Sequence, residues 1–160
     1  MLKIMTVCTG NICRSPMGEF LIKDAAHKAG VEVEVDSSGI SNEEEGNPID
    51  RRAAKVLREL NINTDSHRAR QFKRSDFDSH DLLLAMDLNH YRALMRMAKN
   101  DDDRAKVHLM REFDPAVADQ PQDSLGIYDP WYGDQQDFYD TFTMIRDAVD
   151  GVIDFARKQG

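Results

Sequence analysis

The sequence predicts a single α/β domain spanning residues 1–160, in which a four-stranded parallel sheet carries helices on both faces. The chain opens on an apolar run, Leu2 to Val7, that breaks at a glycine-bearing loop and resumes with helical spacing from Pro16. Val31-Glu-Val-Glu-Val35 then alternates strictly, which makes the opening stretch a βαβ unit with a right-handed crossover and parallel strands. Further on, Leu82-Leu-Leu-Ala-Met86 is apolar throughout, as a strand covered on both faces must be.

The elements follow in order. Helix 1, from Pro16 to Ala29, sets Met17, Phe20, Leu21 and Ala25 at helical spacing and stops at Gly30. Strand 2 alternates with charged residues and is expected toward a sheet edge. A helix over Asp50 to Leu60 collects Ala53, Ala54, Val56, Leu57 and Leu60 on one side, and another is predicted over Asn89 to Lys99. Val107-His-Leu-Met110 supplies a short fourth strand. From Arg111 to Gly133 Asp, Pro and Gly abound, which predicts a long functional loop. A strong helix closes the chain, with Phe138, Phe142, Ile145, Val149, Val152, Ile153 and Ala156 in a core-packing stripe. Glu43-Glu-Glu45 and Asp101-Asp-Asp103 are charge runs expected on solvated surface, and no repeat or linker divides the chain.

Composition narrows the class. With 41% hydrophobic and 31% charged residues and no apolar run near the ~20 residues of a membrane span, a soluble protein is expected. Twenty-one Lys and Arg against 29 Asp and Glu leave a net charge of −8, which argues against nucleic acid and membrane surfaces as partners. The amino terminus lacks a basic segment followed by an apolar core and cleavage site, and two cysteines are too few for a disulfide scaffold. A reducing, cytoplasmic setting is expected, with both thiols free for chemistry.

Both cysteines fall in Val7-Cys-Thr-Gly-Asn-Ile-Cys-Arg-Ser-Pro16, between strand 1 and helix 1. In doubly wound sheets ligands bind beyond the carboxyl ends of the strands, where this loop sits. Gly10 and Asn11 are the residue types that most easily take the positive φ that turns successive amides inward into an anion-holding nest. Ser15 as N-cap and Pro16 at the first helical position would place a positive helix end behind it. Arg14 adds a planar fork able to hold two oxygens of one phosphoryl group, so this is predicted to be a phosphate-binding loop. Cys8, under the helix dipole, the amides and Arg14, is expected to be a thiolate nucleophile with its pKa drawn below the free value of ~8.5. The Ser15 hydroxyl can donate to it. His27, His80, His90 and His108 are scattered without metal-ligand spacing, and Cys8 with Cys13 lacks partner ligands, so neither metal nor other cofactor is called for.

Cys8-Thr-Gly-Asn-Ile-Cys-Arg14-Ser-Pro resembles the signature of the low-molecular-weight protein tyrosine phosphatases. The resemblance continues through Ser37-Ser-Gly39, Gly46-Asn-Pro48, Ser66-His-Arg-Ala-Arg-Gln71 and Asp129-Pro-Trp-Tyr-Gly133, in the family's order and spacing. It implies the same single α/β domain and hydrolysis of phosphotyrosine and aryl phosphate monoesters through a phosphocysteine on Cys8, with a tyrosine-phosphorylated protein as substrate. Arg14 would bind phosphate with Thr9, Gly10, Asn11, Ile12, Cys13 and Ser15 of the loop. By the same resemblance Asp129 is the general acid that protonates the departing phenolate and then the base that activates water. Asn11, Ser38 and His67 match positions that hold the loop in shape by hydrogen bonds. Cys13 resembles the family's second loop cysteine, which traps an oxidised nucleophile as a disulfide; its plain reading is a small packed residue. A weak homodimer is left open.

The chain departs from the family at one wall of the substrate cleft. Many members carry an aromatic residue before Gly-Asn-Pro, where Glu43 stands here, so Trp131 and Tyr132 would face Glu43, Glu44 and Glu45 and lose a stacking partner worth ~0.5–1.5 kcal/mol. Such an acidic rim would favour Lys or Arg near the phosphotyrosine; the alternative is a plain solvated loop. Protein arginine phosphatases share the loop but resemble a version with Thr in place of Ile12, so Ile12 favours phosphotyrosine. Arsenate reduction on this fold uses further cysteines, which the chain lacks. A non-catalytic anion or phosphoprotein binding module would need neither Cys8 nor Asp129.

Overall fold

Four parallel strands form one sheet in the order β2-β1-β3-β4, with β1 at Leu2–Cys8, β2 at Val33–Gly39, β3 at Leu82–Ala85 and β4 at Val107–Leu109. The structure, a computed structural model, describes residues 1–159. β1 pairs with β2 from Leu2 opposite Val33 to Cys8 opposite Gly39. β2 lies at an edge as expected, but two residues later than its alternation predicts. Gly30 closes the preceding helix at φ 68° and the Val31 N–H returns 2.9 Å to Ala26 O, so Val31 still belongs to the helix cap.

Among the described residues six helices accompany the sheet: α1 Arg14–Ala29, α2 Arg51–Arg58, α3 Asp76–Ser79, α4 Leu88–Met97, α5 Asp101–Ala105 and α6 Gln135–Gln159. Side chains alternate across a strand, so the central strands feed two separate cores. Ile4, Leu82 and Leu84 pack with Met17 and Ile22 of α1 and with Phe138, Ile145 and Val152 of α6. Met5, Val7, Leu83 and Ala85 pack on the other face with Phe77 of α3 and Leu94 of α4. Helices therefore cover both faces.

Two segments differ from expectation. Asp101 and Asp102 are exposed as expected, but Asp101-Asp-Asp103 is also the first turn of α5, because the Asn100 side chain accepts the Asp103 N–H at 2.8 Å and acidic residues suit a helix amino end; Asp103 itself is buried. The stretch after β4 is not one irregular loop but contains 3₁₀ turns at Met110–Phe113 and Gln122–Ser124. Its Leu125 and Ile127 are buried, and the Ile127 N–H donates to Met86 O at 2.8 Å, which pins the segment against the carboxyl end of β3. Among the described residues no helix is long and apolar enough to cross a membrane.

The strand order reverses at β1, with β2 on one side and β3 and β4 on the other. Loops leaving β1 and β3 therefore diverge and leave a crevice at the carboxyl edge of the sheet.

Candidate active site

The loop from Cys8 to Arg14 is held from behind by its own carbonyls. The N–H groups of Ile40, Ser41, Asp50 and Met17 donate to the carbonyls of Cys8, Thr9, Ile12 and Cys13 at 2.9, 2.9, 2.8 and 3.2 Å. His67 Nε2 donates to Asn11 O at 2.7 Å. In a trans peptide the N–H points opposite to the C=O before it, so the amides of Thr9, Gly10, Ile12, Cys13 and Arg14 face away from these anchors. From Gly10 to Arg14 they find no acceptor among the described residues, and such a ring of free donors is an anion nest. Asn11 takes the positive φ expected of it, at 60°, whereas Gly10 does not. Gly39 on β2 is needed for close approach: a Cβ there would lie 2.6 Å from Thr9 O.

The Asn11 side chain is fully engaged. Its Nδ2 donates to Ser15 Oγ at 2.8 Å and to Ser37 Oγ at 2.9 Å, and its Oδ1 accepts the Arg70 N–H at 3.0 Å. Ser37 in turn donates to the buried Glu19 at 2.6 Å. Having accepted from Asn11, Ser15 Oγ keeps its own proton for Cys8 Sγ at 2.9 Å, nearer than Ser38 O at 3.4 Å. Ser15 is thus not the helix cap. α1 begins at Arg14 with no side-chain cap bond, and Pro16 is its third residue, where a missing N–H still costs nothing. The place expected for Ser38 is taken by Ser37, since adjacent strand residues face opposite ways; Ser38 Oγ turns to Met5 Sδ at 3.1 Å.

Arg14 is buried. Its Nη1 donates to Asp87 Oδ2 at 2.8 Å and to Ile127 O at 3.0 Å, while Nη2 lies 3.4 Å from Asp129 Oδ2. Asp87, just past β3, also caps α4: its Oδ1 accepts the N–H groups of Asn89 and His90 at 2.9 and 3.2 Å. Burial works against its charge, but His90 and Arg14 outweigh burial and hold its carboxyl below the usual range. The Asp87 N–H donates to His90 Nδ1 at 3.2 Å, so the ring proton sits on Nε2 and is donated to Thr9 Oγ1 at 2.8 Å. Burial foremost, aided by the Arg14 cation, pushes His90 down to about 4 against the pull of Asp87 and Asp129.

A cleft of about 220 Å³ opens above the loop. Cys8, Ile12, Cys13 and Arg14 line it together with Asp129, Trp131, Tyr132, Glu43 and Glu44. The Asp129 carboxylate is 46% exposed and accepts the Trp131 N–H at 3.1 Å. Glu44 is steadied by Asn47 Nδ2 at 2.7 Å, whereas Glu43 and Glu45 are exposed. Cys8 and Cys13 are free, buried thiols; burial, then the charges of Asp50, Cys8 and Asp129, push the Cys13 thiol up. No three metal-ligating side chains converge among the described residues.

A nest of amides, a thiol, a guanidinium fork and an open carboxylate thus meet at one sheet edge. The model of the family described as low molecular weight phosphotyrosine protein phosphatase matches residues 3–159. The chain belongs to this family. It is 41% identical over 159 residues to a low molecular weight protein-tyrosine-phosphatase of Streptomyces coelicolor, covering 98% of this chain and 94% of the relative. Among solved structures it resembles a protein tyrosine phosphatase of Entamoeba histolytica, with a TM-score of 0.89, 27% identity and 99% of each chain covered. It also resembles the YwlE arginine phosphatase, with a TM-score of 0.84 and 26% identity over 98% of this chain and 97% of that one.

As a member of the low molecular weight phosphotyrosine protein phosphatase family the chain is a phosphatase. Several residues that build this candidate site escape a reading of the sequence: Asp87, His90, Ser37 and Glu19. A signal existed for one pair, since Asp87-Leu-Asn-His90 has the spacing of a capping box ahead of a helix.

Proposed function

We propose that the chain hydrolyses phosphotyrosine monoesters on proteins, and aryl phosphates generally, through a phosphocysteine on Cys8. The convergence of Cys8, Arg14 and Asp129 on one cleft above a ring of free amides carries the proposal. In the first step Cys8 Sγ attacks phosphorus, the bond from phosphorus to the phenol oxygen breaks, and protonated Asp129 gives that oxygen its proton. The amides and Arg14 meet the equatorial oxygens, which carry much of the transition-state charge. In the second step Asp129 takes a proton from water as the water oxygen attacks phosphorus, and the S–P bond breaks to release inorganic phosphate. Ser15 Oγ, 2.9 Å from the sulfur, stabilises the departing thiolate. A cysteine-to-serine mutant of the YwlE phosphatase with a phosphorylated active-site serine supports a covalent phosphoenzyme. Cys13 serves as redox partner: when peroxide oxidises Cys8 to a sulfenic acid, the Cys13 thiol condenses with it, forming one S–S bond and releasing water.

The likeness to an arginine phosphatase favours a second reading, hydrolysis of phosphoarginine. Ile12 at the cleft offers an aromatic ring an apolar contact and a guanidinium no hydrogen-bond partner, which supports phosphotyrosine.

Steady-state hydrolysis by wild type, Cys8→Ser and Asp129→Asn tests the mechanism. Cys8→Ser loses turnover, and Asp129→Asn loses ~10²-fold or more on substrates with poor leaving groups and far less on good ones. Full activity in Cys8→Ser sinks the mechanism. Faster release of phosphate from phosphoarginine peptides than from phosphotyrosine peptides selects the second reading.

A further inference from the structure

Asp129 is carried on a short span between the buried Ile127 and the start of α6. On the near side Thr141 Oγ1 of α6 donates to Tyr128 O at 2.9 Å. On the far side the span is held by Arg52 of α2, whose Nη1 donates to Gly133 O at 3.0 Å and whose Nη2 donates to Trp131 O at 3.2 Å. The guanidinium lies 4.4 Å from the Phe138 ring centre and 5.7 Å from that of Trp131. Behind it, Nε and Nη2 each lie 3.2 Å from the Asp50 carboxylate. The Asp50 N–H is itself an anchor of the phosphate loop, donating to Ile12 O at 2.8 Å. One side chain therefore ties the span bearing Asp129 to the loop bearing Cys8 by a route that bypasses Arg14.

We propose that Arg52 is a positioning residue that sets the reach of Asp129 to the leaving-group oxygen, an inference that rests on the reading of Asp129 as general acid. Arg52 acts through the backbone. The Trp131 N–H donates to Asp129 Oδ1 and the Trp131 carbonyl accepts from Arg52, so displacing the backbone on either side of Trp131 displaces the carboxylate. The task needs a planar fork with donors in several directions; a lysine would hold one partner as a point charge. A general acid must come within hydrogen-bond reach of the oxygen it protonates, and a displacement of about 1 Å can cost up to ~10²-fold.

The test is kcat/KM for aryl phosphates of graded leaving-group pKa, with wild type, Arg52→Gln, Arg52→Lys, Asp129→Asn and the double variant Arg52→Gln/Asp129→Asn. Arg52→Gln is expected to lose about tenfold on poor leaving groups and about twofold or less on good ones, and to add nothing to Asp129→Asn. Arg52→Lys follows the same trend and replaces Arg52→Gln if the latter fails to fold. Inhibition by inorganic phosphate stays near wild type, since the loop is intact. A loss uniform across leaving groups, or one that adds to Asp129→Asn, or one matched by weaker phosphate inhibition, overturns the proposal. A leaving-group-dependent loss in Asp129→Asn alone overturns the role of Arg52 and spares the acid; its absence from Asp129→Asn overturns both.

Discussion

Arg14 Nη1 donates to Asp87 Oδ2 at 2.8 Å, a bond between residues 73 positions apart that joins the loop leaving β1 to the loop leaving β3. The guanidinium is thereby compensated and aimed before any substrate arrives.

Replacing Asp87 with Asn separates its two tasks. Asn caps a helix about as well as Asp, so α4 keeps its start while Arg14 loses a charge-assisted bond of about 1.5–3 kcal/mol. kcat/KM for aryl phosphates is expected to fall about tenfold. Asp87→Ala loses the cap as well, and thermal unfolding should place it ~1 kcal/mol below Asp87→Asn. Unchanged kinetics in Asp87→Asn would contradict this role.

His90 and His80 should give opposite pH dependences of stability. Burial holds His90 at about 4, below its ordinary 6.5, so the unfolded chain binds a proton that the folded chain lacks and stability falls as pH drops from 6.5 toward 4. For His80 burial works against the charge, but Asp36, 2.8 Å from Nε2, and the Asp76 carbonyl, 3.0 Å from Nδ1, outweigh it and raise the pKa above 6.5. Its contribution is full below pH 6.5 and is lost as pH rises through the raised value. Urea unfolding across this range should show a flatter acid limb for His90→Gln. For His80→Gln the deficit against wild type should shrink toward alkaline pH.

Two glycines separate folding from function. A Cβ on Gly151 in α6 would lie 1.9 Å from Phe113 O, so Gly151→Ala should cost about 1–3 kcal/mol despite the better helix propensity of Ala. Turnover per folded molecule should hold. A Cβ on Gly39 would lie 2.6 Å from Thr9 O and 3.1 Å from Asn11 N, so Gly39→Ala should lower both stability and kcat/KM. Denaturant unfolding paired with kinetics distinguishes them.

The acidic rim bears on which peptides are preferred. With Glu43 and Glu44 at the cleft and a net charge of −8, peptides carrying Lys or Arg beside the phosphotyrosine should have higher kcat/KM than acidic ones. Changing Glu43, Glu44 and Glu45 to Gln should erase most of that preference, and added salt should weaken it in wild type. A preference untouched by either means that the rim is only a solvated loop.

The all-apolar run of β3, the stripe of α6 and the gathering of Cys8, Asn11 and Arg14 were legible because each is set by neighbours within a few positions. Boundaries differ where a local cap decides them, as at Val31 and Ser15, and the Asn100 cap makes a short helix of the charge run at Asp101. The capping of α4 by Asp87 and His90 has a local signal, but their contacts with Arg14 and Thr9, and those of Arg52 with the carbonyls of Trp131 and Gly133, were not legible, since these partners lie far along the chain.

From sequence alone the chain reads as an α/β protein with a loop after its first strand whose donors suit a phosphate, because strand, helix and turn preferences and donor chemistry are properties of short segments. Tertiary structure alone decided that Ser37 rather than Ser38 meets Asn11, that Asp87 holds Arg14, and that Arg52 ties down the span carrying Asp129. The pleat of β2 and the reversal of strand order at β1 bring those groups together, and both arise only when the strands pair.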